Sequence, residues 1–377
     1  LIDTHIHIAD FGRFSTWIDL KNVKSIKDMQ NSLAKAVETK AKGKWVLGQG
    51  WNEQNFAEQQ TITVSDLDEV APDNPVVFYH ESGCKCVVNS KAFQLAKITK
   101  TTQSPVGGKI ELSKTGELTG VLHENAMGLV WSVIPEPDPE EVFEATAKAC
   151  KKVVAAGVTS VHWIVNSLDE IRLIQRLYLE NKLPLRVYVI YPASVLEQTD
   201  NITMQQADEN WLRVRGVKVF VDGSLAERTA ALKEPYSDDS SVTGKLFYTQ
   251  KELAALVTKL HRANSRLVIH AMGDQAIDLA VTTLEDILKE SPKLNHRYRI
   301  EQAAVLTDEL IQRMKKLGVN VGVQPLTIIS EFTAWSAVDR LGKKRAKLLY
   351  PLKTLNENGI RVSGGSDCPM ESVNPFL

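Results

Sequence analysis

Strand-length apolar runs alternate with helical patterns along most of this 377-residue chain, and that alternation restricts its fold more than any other feature. Runs that are apolar on both faces suit a parallel sheet, whose helical crossovers bury it on both sides. Leu1 to Ile8 reads as the first strand. The rhythm resumes at Asp138-Pro139-Glu140-Glu141, a helix start with an Asp cap and Pro at the first helical position; that helix runs to about Ala156 and stops at Gly157. Val158 to Val165 is a strand, Leu168 to Asn181 a helix, Leu185 to Tyr191 a strand and Gly216 to Val221 another. Thr249 with Glu252 forms a capping box for a helix through Arg262. Arg266 to His270 is strand, Asp274 to Lys289 helix and Tyr298 to Gln302 strand. Thr307 caps a helix to Leu317, and Val319 to Gln324 follows as strand. Lys343 to Glu357 reads as a helix bent or broken near Pro351, and Ile360 to Ser366 as the last strand.

Eight such strands, most followed by a helix, predict a (β/α)8 TIM-like barrel. A doubly wound sheet is the other α/β arrangement, but no Gly-rich fingerprint opens a helix after any strand. The stretch from Asp10 to Pro137 is too long for one connection. It carries a helical pattern from Ile26 to Lys42, a short strand from Pro75 to Tyr79, and a hairpin built from the Ser104 to Lys109 segment and the Thr115-Gly116-Glu117 turn. The predicted organisation is therefore barrel strand one over residues 1–9, an inserted subdomain beside the barrel mouth over 10–137, and the rest of the barrel over 138–377.

Composition narrows the class of partner. With 45 basic and 46 acidic residues the net charge is −1, which leaves no basic excess to grip a phosphate backbone, so nucleic acid is not an expected partner. No apolar run approaches the ~18 residues that span a bilayer, so a membrane is not expected either. Four cysteines, Cys84, Cys86, Cys150 and Cys368, are sparse for this length and fit a reducing, cytoplasmic setting. A small-molecule substrate is the expected partner; a homo-oligomer stays open.

Asp3-Thr4-His5-Ile6-His7 is the sharpest chemical feature. Side chains two apart on a strand share a face, so His5 and His7 point together and make half of a transition-metal site. His270 ends a strand, where barrel active sites are built; capping the next helix is its other use. Asp367 follows Gly364-Gly365-Ser366, and its carboxylate can ligate a metal, take a proton from water or cap a helix. Lys218, within Val217-Lys218-Val219-Phe220-Val221, is costly to bury unless paired, with Asp222 for example, or given a task. One such task is carboxylation by carbon dioxide to an anion that bridges two metals. Cys84 and Cys86 are two thiols on one side of a strand, read as small buried residues or a soft metal site. Trp51, Trp131, Trp163 and Trp335 are either pocket walls or core. His162 suits a core as well as a site, and His80, His123, His261 and His296 carry weaker signals.

These strings together resemble the amidohydrolase superfamily of metal-dependent hydrolases, in particular its amidohydrolase-3 branch. The matching segments include Ile2-Asp3-Thr4-His5-Ile6-His7, Gly50-Trp51-Asn52-Glu53, Val88-Asn89-Ser90-Lys91-Ala92 and Thr119-Gly120-Val121-Leu122-His123-Glu124. Further along come Val217 to Gly223, His270-Ala271-Met272-Gly273-Asp274, Arg299-Ile300-Glu301, Gln324-Pro325 and Gly365-Ser366-Asp367-Cys368-Pro369. The resemblance implies a metal-loaded barrel with its site at the strand C-termini. It makes His5 and His7 first-strand ligands, Lys218 the bridging lysine, His270 the fifth-strand ligand, and Asp367 the eighth-strand ligand and base. It also implies a small β-sandwich from segments flanking the barrel, which this sequence lacks.

Two positions depart from the family pattern. Gln302 stands where a histidine follows Arg-Ile-Glu, and Cys84 where a Gly-His pair is usual. An amide oxygen is a poor substitute for imidazole, so one divalent ion, with zinc the first choice, fits better than two. The expected activity is hydrolysis of a non-peptide C–N bond in an amide, cyclic amide or amidine, with Asp367 and Lys218 as the catalytic pair and Cys84, Trp51, Gln302 and Asp222 as substrate contacts. An esterase using the same water, and a diverged binding or regulatory protein on the same scaffold, are the alternatives left open.

Overall fold

A computed structural model describes residues 1–81, 83–198, 208–333, 336–374 and 376. The chain divides into two compact units, one formed by Leu1–Gly12 with Phe143–Leu377 and the other by Arg13–Val142.

The first unit holds eight parallel strands in chain order. They are β1 (Ile2–Ile6), β2 (Ser160–Ile164), β3 (Arg186–Pro192), β4 (Leu212–Phe220), β5 (Arg266–Ala271), β6 (Arg299–Gln302), β7 (Asn320–Val323) and β8 (Val362–Gly364). Helices at Pro139–Ala155, Leu168–Leu179, Gln250–Arg262, Asp274–Glu290 and Asp308–Leu317 cover the sheet. Their apolar stripes pack on the outward strand residues in one continuous core that includes Phe143, Val153, Trp163, Leu260 and Ile300. The lumen contributes a smaller cluster of Ile164, Ile190 and Val268. The expected barrel is present as a nearly closed eight-stranded parallel sheet.

Local chemistry sets the helix ends. Asp138 accepts from the Glu140 amide at 2.8 Å, and Thr249 with Glu252 makes the reciprocal capping box. Gly157 and Gly318 end their helices at positive φ, a conformation that favours glycine. Two boundaries differ from the sequence reading. Strand β1 stops at Ile6, because a helix, Ile8–Phe14, begins directly after His7. The single bent helix expected over 343–357 is instead Ala337–Arg345, a 3-10 turn at Ala346–Leu348, and a new helix at Leu352–Glu357. Between them Leu349 bridges to Val305 and the Tyr350 amide donates to Ala304 O at 2.9 Å, so the chain leaves the helix to pair with another segment before Pro351.

Closure of the barrel brings β1 to the segment that follows β8. The Asp367 amide donates to His5 O at 2.8 Å and the His7 amide to Cys368 O at 2.9 Å. Asp3 Oδ1 accepts from the amides of both His5 and Ser366 at 3.0 Å. This clasp needs Gly365, since a Cβ there would lie 2.4 Å from His5 Cβ and 2.6 Å from His5 N.

The second unit is a six-stranded mixed sheet in the spatial order Ile18–Asp19, Val46–Trp51, Val76–His80, Lys85–Val88, Leu118–Glu124 and Gly108–Leu112. The first three strands are parallel and the remaining pairings antiparallel. Helix Ile26–Glu38, capped by Ser25, packs against it through Met29 and Leu33. The hairpin turns at Ser113–Gly116, where the Gly116 amide donates to Ser113 O; Gly108 and Lys109 belong to its first strand.

Replacing Gly365 by alanine forces the clasp apart, because both neighbours are main-chain or Cβ atoms that cannot swing away. The expected loss is about 1–3 kcal/mol of unfolding free energy, read by chemical denaturation of wild type against Gly365→Ala.

Candidate metal centre

His5, His7 and Asp367 converge as the sequence expects, each offering one ligand atom within 4.8 Å of the others. His5 Nε2 and His7 Nε2 each lie 3.4 Å from Asp367 Oδ1. The two histidines arrive on one face because they are two apart at the end of β1; Asp367 arrives through the clasp that holds its amide on His5 O.

His5 is fixed from behind. Its Nδ1 is 2.5 Å from Glu301 Oε2 and 2.8 Å from Gln324 Nε2, which leaves Nε2 facing the cluster. Glu301 is fully buried on β6 and its Oε1 forms an ion pair with Arg299 Nε; Gln324 Nε2 donates to Oε2, the oxygen that meets His5, at 3.0 Å. Burial alone would raise the Glu301 pKa, but Arg299 and His5 override it and hold the carboxyl well below its usual range. Arg299 in turn donates to His162 Nδ1 at 2.9 Å and to Thr4 O at 3.2 Å.

Lys218 projects from β4 with its Nζ 3.4 Å from His5 Nε2. Burial lowers its pKa, while Glu301 and Asp367 oppose that. Asp222 is not its partner. The Asp222 carboxylate accepts from the amides of Ala231, Met272 and Gly273, each at 2.9 Å. Fully buried, it ties the loops after β4 and β5 together. Its pKa is pushed up to about 6 by burial, against those three amide bonds.

His270 stands at the C-terminal end of β5, opposite Phe220 of β4, and its Nε2 donates to Gly223 O at 3.0 Å. It is not part of the three-residue cluster. Burial, with Lys218 next, brings its pKa down to about 4, so the ring is neutral at physiological pH. For Asp367, burial raises the pKa but the hydrogen bond from His7 and the neighbouring positive groups outweigh it, and the carboxyl stays below its ordinary value.

The donor set suits a divalent ion of the zinc kind: two imidazoles and a carboxylate, one imidazole oriented by a buried carboxylate. His7 Nδ1 is itself buried with no hydrogen-bond partner among the described residues, as is Gln302 Oε1 at the end of β6.

Trp51 is fully buried in the core of the second unit and donates its Nε1 to Phe78 O at 3.0 Å. Cys84 is exposed just before the strand Lys85–Val88, and Cys86 is buried in it. No disulfide joins any of the four cysteines. Trp163 is core, bonded to Glu170 Oε1 at 2.7 Å; Trp131 is 41% exposed; Trp335 lies outside the described residues. Sequence reading gave no role to Glu301, Arg299 or Gln324. The available signal was two opposite charges on the same face of a strand, Arg299 and Glu301, within an otherwise apolar run.

A family model described as "Amidohydrolase family" matches residues 1–377. The chain belongs to the amidohydrolase family. It is 32% identical to the putative amidohydrolase YtcJ of Bacillus subtilis (strain 168), covering 100% of this chain and 71% of that one. It is 29% identical to the protein LONG AFTER FAR-RED 3 of Arabidopsis thaliana, over 100% and 66% of the two chains. N-substituted formamide deformylase of Arthrobacter pascens is 26% identical, over 99% and 71%. Among solved structures, an uncharacterized metal-dependent hydrolase from Pyrococcus furiosus superposes with a TM-score of 0.79 at 28% identity, covering 100% of this chain and 74% of that one. One from Pyrococcus horikoshii OT3 gives 0.77 at 30% identity, over 100% and 72%. This amidohydrolase is a metal-dependent hydrolase of non-peptide C–N bonds. No helix among the described residues is long and apolar enough to cross a membrane.

Glu301→Gln keeps the shape but loses the charge that orients His5. Its metal affinity is expected to fall roughly 10- to 100-fold, measured by competition with a chromophoric chelator.

Proposed function

We propose that His5, His7 and Asp367 hold a single zinc ion, that His270 adds a further donor, and that Asp367 is the proton carrier of an amide-bond hydrolysis. The observation that carries this reading is the convergence of two imidazoles and a carboxylate, with Glu301 locking the His5 ring from behind. When bound, the ion would supply Lewis acidity and a water acidic enough to ionise near neutral pH.

The protein's own groups do the rest. Asp367, held ionised by its surroundings, takes the proton released as water attacks the carbonyl or amidine carbon. It then delivers that proton to the leaving nitrogen, so one carboxylate serves both halves of the reaction. Lys218, favoured toward the neutral amine by burial, is chemically competent to be carboxylated by carbon dioxide; left uncarboxylated and protonated, it balances the negative charge of Glu301 and Asp367. His270 is neutral and able to act as a nitrogen donor, with Gly223 O as the competing partner of its Nε2. The unpartnered Gln302 Oε1 is a candidate acceptor for a substrate N–H. N-substituted formamides are the first substrates to try, because one relative is named for that activity. Cysteines this sparse in the sequence suit a reducing, cytoplasmic setting.

Asp367→Asn is expected to fold and to lose turnover by about 10²- to 10⁴-fold with metal supplied in excess. Full retained activity in the metal-replete variant would remove the role. Stripping wild type with a chelator is expected to abolish hydrolysis, and zinc, manganese or cobalt to restore it; a stripped protein that still turns over would refute the metal requirement.

A further inference from the structure

At the N-terminal end of the barrel, away from Asp367, a cavity of about 230 Å³ is lined by Arg213, Arg215, Arg266, Arg297 and Arg299, with His162 and Tyr188 between them. Arg213 and Arg215 come from β4, Arg266 opens β5, Arg299 opens β6, and Arg297 precedes it. The net charge of the chain is −1, so this is a local concentration rather than a share of a general surplus.

The carboxylates facing these groups do not match them in number. Glu209 pairs with Arg215, at 3.1 Å and 3.3 Å, and Glu301 beneath the cavity pairs with Arg299. Arg213, Arg266 and Arg297 have no carboxylate partner among the described residues. Their contacts are to neutral acceptors: Arg213 Nε to Glu209 O, Arg266 to the carbonyls of Asn295 and His296 at 2.8 Å and 2.7 Å, and Arg297 Nε to Asn295 Oδ1 at 2.9 Å. Each guanidinium carries five N–H donors in a planar fork, so most of their donor capacity is unused. His162 adds no charge, since its Nδ1 accepts from Arg299. A structural plug for the barrel would need Arg299, which is buried, but not the exposed Arg213 and Arg297.

We propose that this mouth of the barrel is a binding site for a compact polyanion, one presenting several phosphate or carboxylate oxygens to Arg213, Arg266 and Arg297. Forked guanidinium donors match such oxygens two at a time, and converging cations raise the local concentration of anions. Arg299 forms the floor of this site and is also the partner of Glu301, so the ligand would sit two contacts from His5.

The test is calorimetric titration of the full-length protein, metal-loaded and metal-stripped, with pyrophosphate in one arm and citrate in the other. At least one anion is expected to bind saturably at one site, with affinity that falls as salt is raised, and equally in both metal states. Citrate alone binding would identify a carboxylate ligand, and pyrophosphate alone a phosphate ligand. The double variant Arg213→Gln/Arg297→Gln is expected to bind at least roughly tenfold more weakly. Arg172→Gln, on an exposed helix face paired with Asp169, is expected to bind as wild type. If the double variant does not fold, Arg213→Gln alone is held to a clear loss of affinity. The proposal is overturned if neither anion saturates, if the folded variant binds as wild type, or if binding disappears with the metal, which would put the anion at the metal centre instead.

Discussion

A carboxylate with no exposure to water must be compensated by the protein around it, and Glu301 is where this barrel meets that demand. Arg299 takes one oxygen; His5 and Gln324 take the other. The ring of His5 is therefore held at one nitrogen and free at the other. Remove the carboxylate altogether and Arg299 is left as a buried unpaired cation, a class of change that costs about 3–5 kcal/mol. The same contacts turn His5 Nε2 toward His7 and Asp367, so stability and the geometry of the cluster rest on one ion pair.

The second requirement is that β1 meets the segment after β8. Asp3, His5 and His7 supply main-chain and carboxylate partners to Ser366, Asp367 and Cys368, and Gly365 allows the approach. His5 thus takes part in the site three times: by its Nε2, by its Nδ1 anchored to Glu301, and by its carbonyl anchored to Asp367.

Much of this was legible in the residues. Periodicity revealed all eight strands, because each carries apolar residues at strand spacing and alternates with helical patterns. The alternation in Thr4-His5-Ile6-His7 revealed a shared face, and Gly364-Gly365 a close approach before Asp367. What stayed hidden depends on partners distant in sequence. Asp222 resembles a site residue until three amides from separate loops are seen to converge on it. Trp51 looks like a pocket wall until its indole N–H is found on a neighbouring strand. The helix expected over 343–357 breaks because Leu349 and Tyr350 find partners at Ala304 and Val305, which no local pattern encodes. Glu301 sits in the Arg-Ile-Glu string of β6, yet what it holds, His5, is on another strand.

The clasp joins residues as far apart as Thr4 and Gly364, 360 positions along the chain. The two imidazoles follow on the first strand of the barrel, while the carboxylate lies beyond its last. Until that last strand is in place the three groups cannot meet. Contacts of such long range are formed late and slowly. Assembly of the three-residue cluster is thereby coupled to completion of the barrel, and a product cut short before the last strand would hold the two imidazoles without the carboxylate.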